Sequence, residues 1–224
     1  MSIRTDLALE SINAAKISEG ITKTERGKAF KITEINIAED KHGEKIGKKK
    51  GKYITLEGSV FSCFSKDFRE MCEEFSEELS QFVPDGKVLV VGLGNNDITP
   101  DALGPQTASK ILATRHLKEE LKDEDEFLTS LRPVGVLASG VLGQTGIETA
   151  ELIDGLMEKI DPQAIIAVDA LACSDINRLG KTIQLSDTGI SPEAKEESMI
   201  LGYAEGKNLS LILSSDYIKL LDDY

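Results

Sequence analysis

The hydrophobic pattern has two parts, an early one rich in polar–apolar alternation and a later one rich in continuous apolar runs. Residues 31–37 and 52–57 alternate polar and apolar positions, which predicts two strands that each bury one face. We therefore expect the first 60 residues to be extended segments joined by polar turns. The glycine-punctuated basic stretch between the strands, residues 41–51, is interpreted as a solvated hairpin loop in preference to a patch for an acidic partner.

Helical spacing and short apolar runs dominate the next part of the chain. Residues 67–82 carry apolar side chains at helical spacing with glutamates between them, which predicts an amphipathic helix lying on a core. Further strands are predicted at 88–91, 133–138, 164–168 and 182–185, and further helices at 101–117 and 147–160. Because strands and helices alternate, we expect an α/β fold with a parallel sheet covered by helices on both sides.

These patterns predict one α/β domain over the whole chain, 1–224. Within it we distinguish a β-rich N-terminal extension (1–66), a core (67–190) and a tail (191–224). No apolar run approaches the roughly 18 residues of a membrane span, and the N-terminus lacks the apolar segment of a secretory signal. We therefore expect a cytoplasmic protein.

The composition of the chain argues against several classes of ligand and of metal site. Lys and Arg number 26 against 39 Asp and Glu, a formal charge of −13, which argues against a general binder of nucleic acid or anionic membrane because phosphates would be repelled. The three cysteines, Cys63, Cys72 and Cys173, are too few and too widely spaced for a disulfide framework or a metal knuckle. With only His42 and His116, a histidine-rich zinc site is nearly excluded.

Polar loops follow the predicted strands, which is where open α/β sheets bind their ligands. The four loops are 92–105, 139–149, 169–172 and 186–189. A dinucleotide site is rejected, because Gly92-x-Gly94 is not completed by a third glycine and Asp97 in its place would repel a pyrophosphate. If the sheet is parallel throughout, the four loops share one crevice.

Two aspartates in these loops are candidates for chemistry. Asp101 is either a helix cap or a functional carboxylate, and Asp169, at the end of an apolar strand, either makes a structural hydrogen bond or has a functional role. Together they suit either water activation for metal-free amide hydrolysis or a divalent metal, and the pair alone does not decide. Asp187-Thr188-Gly189 matches the active-site tripeptide of pepsin-like proteases, but a turn closing the fourth strand is favoured.

A set of motifs covers about residues 3–190. The motifs are Arg4–Ala8, Ile46–Lys49, Tyr53–Glu57, Gly92–Asn95, Thr99–Pro105, Thr114–Leu117, Arg132-Pro133, Gly140–Thr149, Asp169–Ala172 and Asp187–Ile190. In these motifs and their order the chain resembles the germination protease family of endospore-forming bacteria, which degrades small acid-soluble spore proteins. The resemblance implies a three-layer sandwich with a mostly parallel sheet, a phosphorylase/hydrolase-like fold similar to that of hydrogenase-maturation endopeptidases.

The resemblance also implies an activity and its residues. Members of the family are aspartic-type endopeptidases, made as zymogens in the cytoplasm of the developing spore and active as homotetramers. Carried onto this sequence, the catalytic aspartates are Asp101 and Asp169, and zymogen self-cleavage falls between Asp6 and Leu7. We expect small acid-soluble spore proteins as substrate, no metal or other cofactor, and no direct binding of nucleic acid or membrane.

The loops supply further candidates for holding a substrate. Backbone N–H groups of the glycine loop, residues 140–146, are expected to stabilise the oxyanion that forms during amide hydrolysis. The substrate-binding candidates are Asn95, Gly140, Gly143, Thr145, Gly146, Glu148 and Asp187.

Two alternatives stand beside this expectation. The chain departs from the family after Ile190, which leaves open a catalytically impaired relative that binds spore proteins or a partner subunit. A metal-dependent maturation peptidase on the same fold would add a histidine ligand downstream of the second carboxylate. No histidine occurs from 170 to 224, so the sequence disfavours this second alternative.

Overall fold

The computed structural model describes residues 5–16, 19–60, 67–120, 125–189 and 208–213. In chain order the elements are α1 (Ala8–Ala15), β1 (Ile21–Arg26), β2 (Lys31–Ile37), α2 (Asp40–Gly43), β3 (Gly51–Glu57), α3 (Phe68–Ser80), β4 (Val88–Leu93), α4 (Leu103–Ala108), α5 (Leu117–Glu120), α6 (Glu126–Ser130), β5 (Val134–Gly140), α7 (Leu142–Thr145), α8 (Thr149–Ile160), β6 (Ala164–Ala170), β7 (Thr182–Ser186) and β8 (Asn208–Leu213). Short 3₁₀ turns occur at Glu44–Ile46, Thr99–Asp101 and Ile176–Arg178. The tail, residues 191–224, lies outside the described residues except for the backbone of β8.

The chain divides into two compact units. The antiparallel unit comprises Met1–Phe82, Ala170–Thr188 and Leu211–Tyr224, and the parallel unit comprises Val83–Asp169 and Gly189–Ser210. Helices together with a parallel and an antiparallel sheet confirm the expected α/β class. No helix in the described ranges is long and apolar enough to cross a membrane.

The antiparallel unit is built on strands in the order β1–β2–β3–β7. Each neighbouring pair among them is antiparallel, and Thr33, Thr55 and Gln184 are register partners across β2, β3 and β7. The strands predicted at 31–37 and 52–57 are confirmed as β2 and β3. The hairpin predicted between them is confirmed in its connectivity, although its basic stretch contains helix α2 and a 3₁₀ turn.

The strand predicted at 182–185 exists as β7, but its expected place in the parallel sheet is wrong. β7 runs antiparallel to β3. The reason lies in its pattern, because Thr182, Gln184 and Ser186 alternate with apolar residues as the residues of β3 do, whereas the parallel strands are continuous apolar runs. A wholly parallel sheet, the premise of one crevice shared by four loops, is therefore wrong.

Helix α1 lies where an extended segment was expected, so that prediction is wrong. Its apolar face packs on the sheet, in a cluster made of Ala8, Leu9, Ile12, Ile35, Ile37 and Tyr53. An isolated helix of this length is marginal in water, so tertiary packing stabilises it more than local propensity does. The helix predicted at 67–82 is confirmed as α3, with Met71 buried against Gly58 and Phe68 left 55% exposed.

A buried carboxylate also holds α1 in place. Glu10 is 6% exposed and accepts hydrogen bonds from the Ser174 N–H (2.7 Å), the Asp175 N–H (3.2 Å) and Arg178 Nη1 (2.9 Å). Arg178 also donates from Nε to Glu57 at 2.7 Å. Burial raises the pKa of Glu10, but hydrogen bonds, led by that of the Ser174 side chain, outweigh burial and lower the pKa to about 2.

The parallel unit has strands in the order β6–β4–β5, and β4 runs parallel to both neighbours. Gly92 of β4 is the register partner of Ala138 on β5 and of Val168 on β6. Every residue of β4 is buried, as its continuous apolar run predicts. The three apolar strands predicted for this sheet are confirmed as β4, β5 and β6.

Helices α4 and α8 lie on opposite faces of the parallel sheet. A Cβ placed on Gly92 would lie 2.9 Å from Ala108 of α4. A Cβ placed on Gly135 of β5 would meet Leu89 at 3.5 Å and Ile160 of α8 at 3.8 Å. Leu89 and Gly92 are three positions apart on β4, so they face opposite sides of the sheet.

The helix predicted at 101–117 is wrong beyond α4, which is much shorter. After α4 the chain is hydrogen-bonded to the start of β5. The Thr114 N–H donates to Val134 O at 3.0 Å, and the Thr114 hydroxyl donates to Arg132 O. These bonds fix an irregular connection in place of further helix. The helix predicted at 147–160 is confirmed as α8.

We predict that Glu10→Gln lowers the free energy of unfolding by up to about 3 kcal/mol at neutral pH, because a pKa lowered from 4.5 to about 2 stabilises the fold. This contribution is complete above pH 4.5 and is lost as pH falls toward 2. Urea unfolding at a series of pH values measures it. Exposed Glu77→Gln is the matched control and should change little. A deficit of the Glu10 variant that stays constant down to acidic pH would contradict the assignment.

Candidate active site

The carboxyl end of β4 turns sharply at Gly94. This residue has φ +111°, and a Cβ placed on it would overlap the backbone O of Asp101 and lie 2.8 Å from Asp101 Oδ1. Only glycine combines this backbone conformation with so close a neighbour. The loop from Gly94 to Asp101 therefore folds back on itself, and it returns the Asp101 carboxyl to the end of the strand.

The carboxylate of Asp101 is fixed by the backbone of the same loop. Its Oδ2 accepts a hydrogen bond from the Asn95 N–H at 2.6 Å, and the Asp101 N–H donates to Ile98 O at 2.9 Å. The N-cap of α4 is Ala102, and no side chain caps this helix, so the interpretation of Asp101 as a plain cap is wrong. Asp101 is half-buried and belongs to the strand end.

Asp169 lies at the same edge of the sheet, on the neighbouring strand. It directly follows Val168 on β6, and Val168 is the register partner of Gly92 on β4. Adjacent strands are about 4.8 Å apart. The Asp101 carboxyl, against Gly94, and half-buried Asp169 therefore both lie at the carboxyl ends of adjacent parallel strands.

Asn95 connects this edge to the glycine loop. Its side chain is buried, and Oδ1 accepts hydrogen bonds from the Asp97 N–H at 2.9 Å and from Gln144 Nε2 at 2.8 Å. Gln144 Nε2 also donates to Asp97 Oδ2 at 3.1 Å. The structure thus brings Asn95 together with Asp101, and it adds Gln144, which sequence reasoning missed because an uncharged side chain among polar loop residues carries no distinguishing signal.

The glycine loop itself is a compact turn around α7. The N–H groups of Gln144 and Thr145 donate to Val141 O, and the Gly146 N–H donates to Leu142 O. Three of the amides considered for an oxyanion site therefore already donate within the loop. The oxyanion role of the loop, including that of Gly140 and Gly143, stays a prediction.

The remaining candidates have clear structural positions. Glu148 is the N-cap residue of α8, and its N–H donates to the Glu151 side chain at 3.3 Å. Asp187 lies in the antiparallel unit, where its Oδ1 accepts a hydrogen bond from the Lys52 N–H at 2.8 Å. This contact fits the interpretation of Asp187 as part of a turn after β7. A role of Glu148 or Asp187 in binding substrate stays a prediction.

Asp6 and Leu7, the residues of the predicted self-cleavage, also lie in the antiparallel unit. Leu7 is fully buried. Within the described part of the chain there is no group of three or more His, Cys, Asp or Glu side chains that would hold a metal ion.

A parallel sheet with carboxylates at its carboxyl edge defines an α/β protein of the kind that binds ligands at strand ends. Comparison with protein families is more specific. The model of the germination protease family matches residues 4–197, and the chain belongs to this family. The resemblance seen in the motifs is thereby confirmed.

Curated relatives that are similar to this chain are named germination proteases. The germination protease of Clostridium acetobutylicum is 42% identical over 205 residues, a match that covers 85% of this chain and 62% of the relative. That of Caldanaerobacter subterraneus is 43% identical over 199 residues (86% and 61%), and that of Priestia megaterium is 41% identical over 209 residues (85% and 56%). The chain spans about three fifths of the length of the curated relatives it matches.

We predict that Gly94→Ala lowers the free energy of unfolding by about 1–3 kcal/mol, because the methyl group overlaps the Asp101 backbone and the φ angle disfavours any side chain. Gly143→Ala is the matched control, since a Cβ there meets nothing within 4 Å. Urea unfolding compares the two. Amide exchange at Asn95 should also accelerate in Gly94→Ala alone, because its acceptor moves; equal behaviour of the two variants would refute the close approach.

Proposed function

We propose that this chain is an endopeptidase that degrades small acid-soluble spore proteins during germination, with Asp101 and Asp169 activating a water molecule. The supporting observation is the carboxylate of Asp101, held by the Asn95 N–H beside the strand end that carries Asp169, in a chain that belongs to the germination protease family. Proteins similar to it are named germination proteases.

The proposed chemistry needs two carboxylates with different tasks. One takes a proton from the water as it attacks the peptide carbonyl, and the other donates a proton to the departing amine nitrogen. The 2.6 Å hydrogen bond from Asn95 fixes the orientation of Asp101. Gln144, which binds the side chain of Asn95, keeps the neighbouring glycine loop at the same strand end.

The finer features of the proposal follow the family resemblance. We infer an aspartic-type enzyme unrelated to pepsin, a zymogen cleaved between Asp6 and Leu7, a homotetramer, and a location in the cytoplasm of the spore. A three-layer sandwich like that of hydrogenase-maturation endopeptidases is also part of the proposal, and α4 and α8 on opposite faces of the parallel sheet support it.

We predict that Asp101→Asn and Asp169→Asn each reduce cleavage of a purified small acid-soluble spore protein by about 10²–10⁴-fold, the range typical of a lost general acid or base. Mass spectrometry of the intact substrate over time measures the rate. Asp154→Asn, an exposed aspartate on α8, is the matched control and should cleave at the wild-type rate. Unchanged far-ultraviolet circular dichroism establishes that each variant is folded.

The same assay separates the alternatives. A wild-type chain that binds the spore protein and leaves it intact is the catalytically impaired relative. Cleavage that a chelator stops and a transition metal restores indicates a metal-dependent peptidase. Either aspartate variant cleaving as fast as Asp154→Asn would rule out the proposed pair.

A further inference from the structure

The backbone at Asp6 pairs with a distant part of the antiparallel unit. The Asp6 N–H donates to Ala172 O at 2.9 Å, and the Ala172 N–H donates back to the Asp6 carboxylate, to Oδ2, at 3.0 Å. Residue 172 therefore binds both the main chain and the side chain of residue 6. A side chain shorter than aspartate lacks the second of these bonds.

The carbonyl of Asp6 has two further donors. Lys48 Nζ donates to it at 2.7 Å and Gln184 Nε2 at 3.3 Å. The short distance from the ammonium group is typical of a charge-assisted hydrogen bond. The carbonyl of the Asp6–Leu7 peptide bond is thus held by a cation and by an amide.

Gln184 also binds the next residues of the segment. Its Oε1 accepts a hydrogen bond from the Ala8 N–H at 2.9 Å, while its Nε2 holds the Asp6 carbonyl. Gln184 is 2% exposed in the middle of β7, and a buried amide needs partners for both of its ends. Both ends are satisfied by residues 6–8. Leu7 and Ala8 between them are fully buried.

We propose that Lys48, Ala172 and Gln184 form a peptide-binding clamp for an aspartate followed by apolar residues, and that its resident ligand is the chain's own Asp6–Ala8. The Ala172 N–H recognises the acidic side chain, Lys48 and Gln184 hold the carbonyl that follows it, and the buried surroundings accept Leu7 and Ala8. All residues of this site belong to the antiparallel unit, whereas Asp101 and Asp169 belong to the parallel unit.

The clamp governs access to the Asp6–Leu7 bond. Hydrolysis needs an approach to the carbonyl carbon, and a bond with a fully buried Leu7 and an engaged carbonyl is protected. Cleavage there, by any protease, therefore proceeds through the open fraction of molecules in which the segment has left the clamp. The self-cleavage proposed above requires the same release, but the clamp exists whether or not the chain cleaves itself.

The test uses the full chain with Asp101→Asn as background, so that the activity proposed above is reduced by about 10²–10⁴-fold. Hydrogen exchange is followed by mass spectrometry on the peptide covering residues 1–9. Cleavage of the Thr5–Asp6 bond by an added endoproteinase that cuts before aspartate is followed by intact mass. The variants are Lys48→Met and, as a control of the same charge change, Lys45→Met, an exposed lysine of the same basic stretch.

Lys48→Met should accelerate both exchange and cleavage at least about tenfold, since it removes a hydrogen bond from a charged group. Lys45→Met should stay within about twofold of the background chain. Exchange in α8 should be the same in all three proteins. Equal rates for the two lysine variants would overturn the clamp, and so would faster exchange that extends to α8, because the effect would then be a general loss of stability.

Discussion

The close approach of bare backbone at the carboxyl end of β4 is the constraint on which the candidate site depends. A Cβ placed on Gly104 would overlap Leu93 O of β4 and Val168 O of β6, so the start of α4 lies directly against the ends of both strands. Gly94 allows the backbone of Asp101 to approach the strand end just as closely. A side chain at either glycine would lift the helix or the loop away from the strand ends, and the Asp101 carboxyl would move with it.

A second constraint explains why residues far apart in sequence share the antiparallel unit. Asp6 binds Ala172, and Glu10 binds Ser174 and Arg178. Both carboxylates therefore join the N-terminal segment to the stretch that precedes β7. These contacts place α1 over the sheet, because an isolated helix of eight residues is marginal in water even when its residues favour helix.

The sequence predicted correctly those features of the fold and site that have a local signal in the hydrophobic pattern. β4, β5 and β6 are continuous apolar runs, and the ends of such strands pointed to Asp101 and Asp169 without any structure. The short helix α1, the antiparallel direction of β7 and the early end of α4 were not predicted, because tertiary partners decide them: the sheet under α1, β3 beside β7, and the start of β5 for Thr114. Gln144 was not predicted for the same reason, since only its contact with Asn95 distinguishes it from the other polar residues of its loop.

Several carboxylates that organise this acidic chain are held by backbone N–H groups. The pairs are Asp6 with Ala172, Glu10 with Ser174, Glu74 with Lys28 and Phe30, Asp101 with Asn95, and Asp187 with Lys52. A backbone donor is fixed by the fold, whereas an exposed ion pair orders two long side chains and is weakened by salt. With a formal charge of −13, cations are the scarcer partner. The loops can therefore fix these carboxylates in a geometry that depends on turn conformation, as at Gly94, and little on ionic strength.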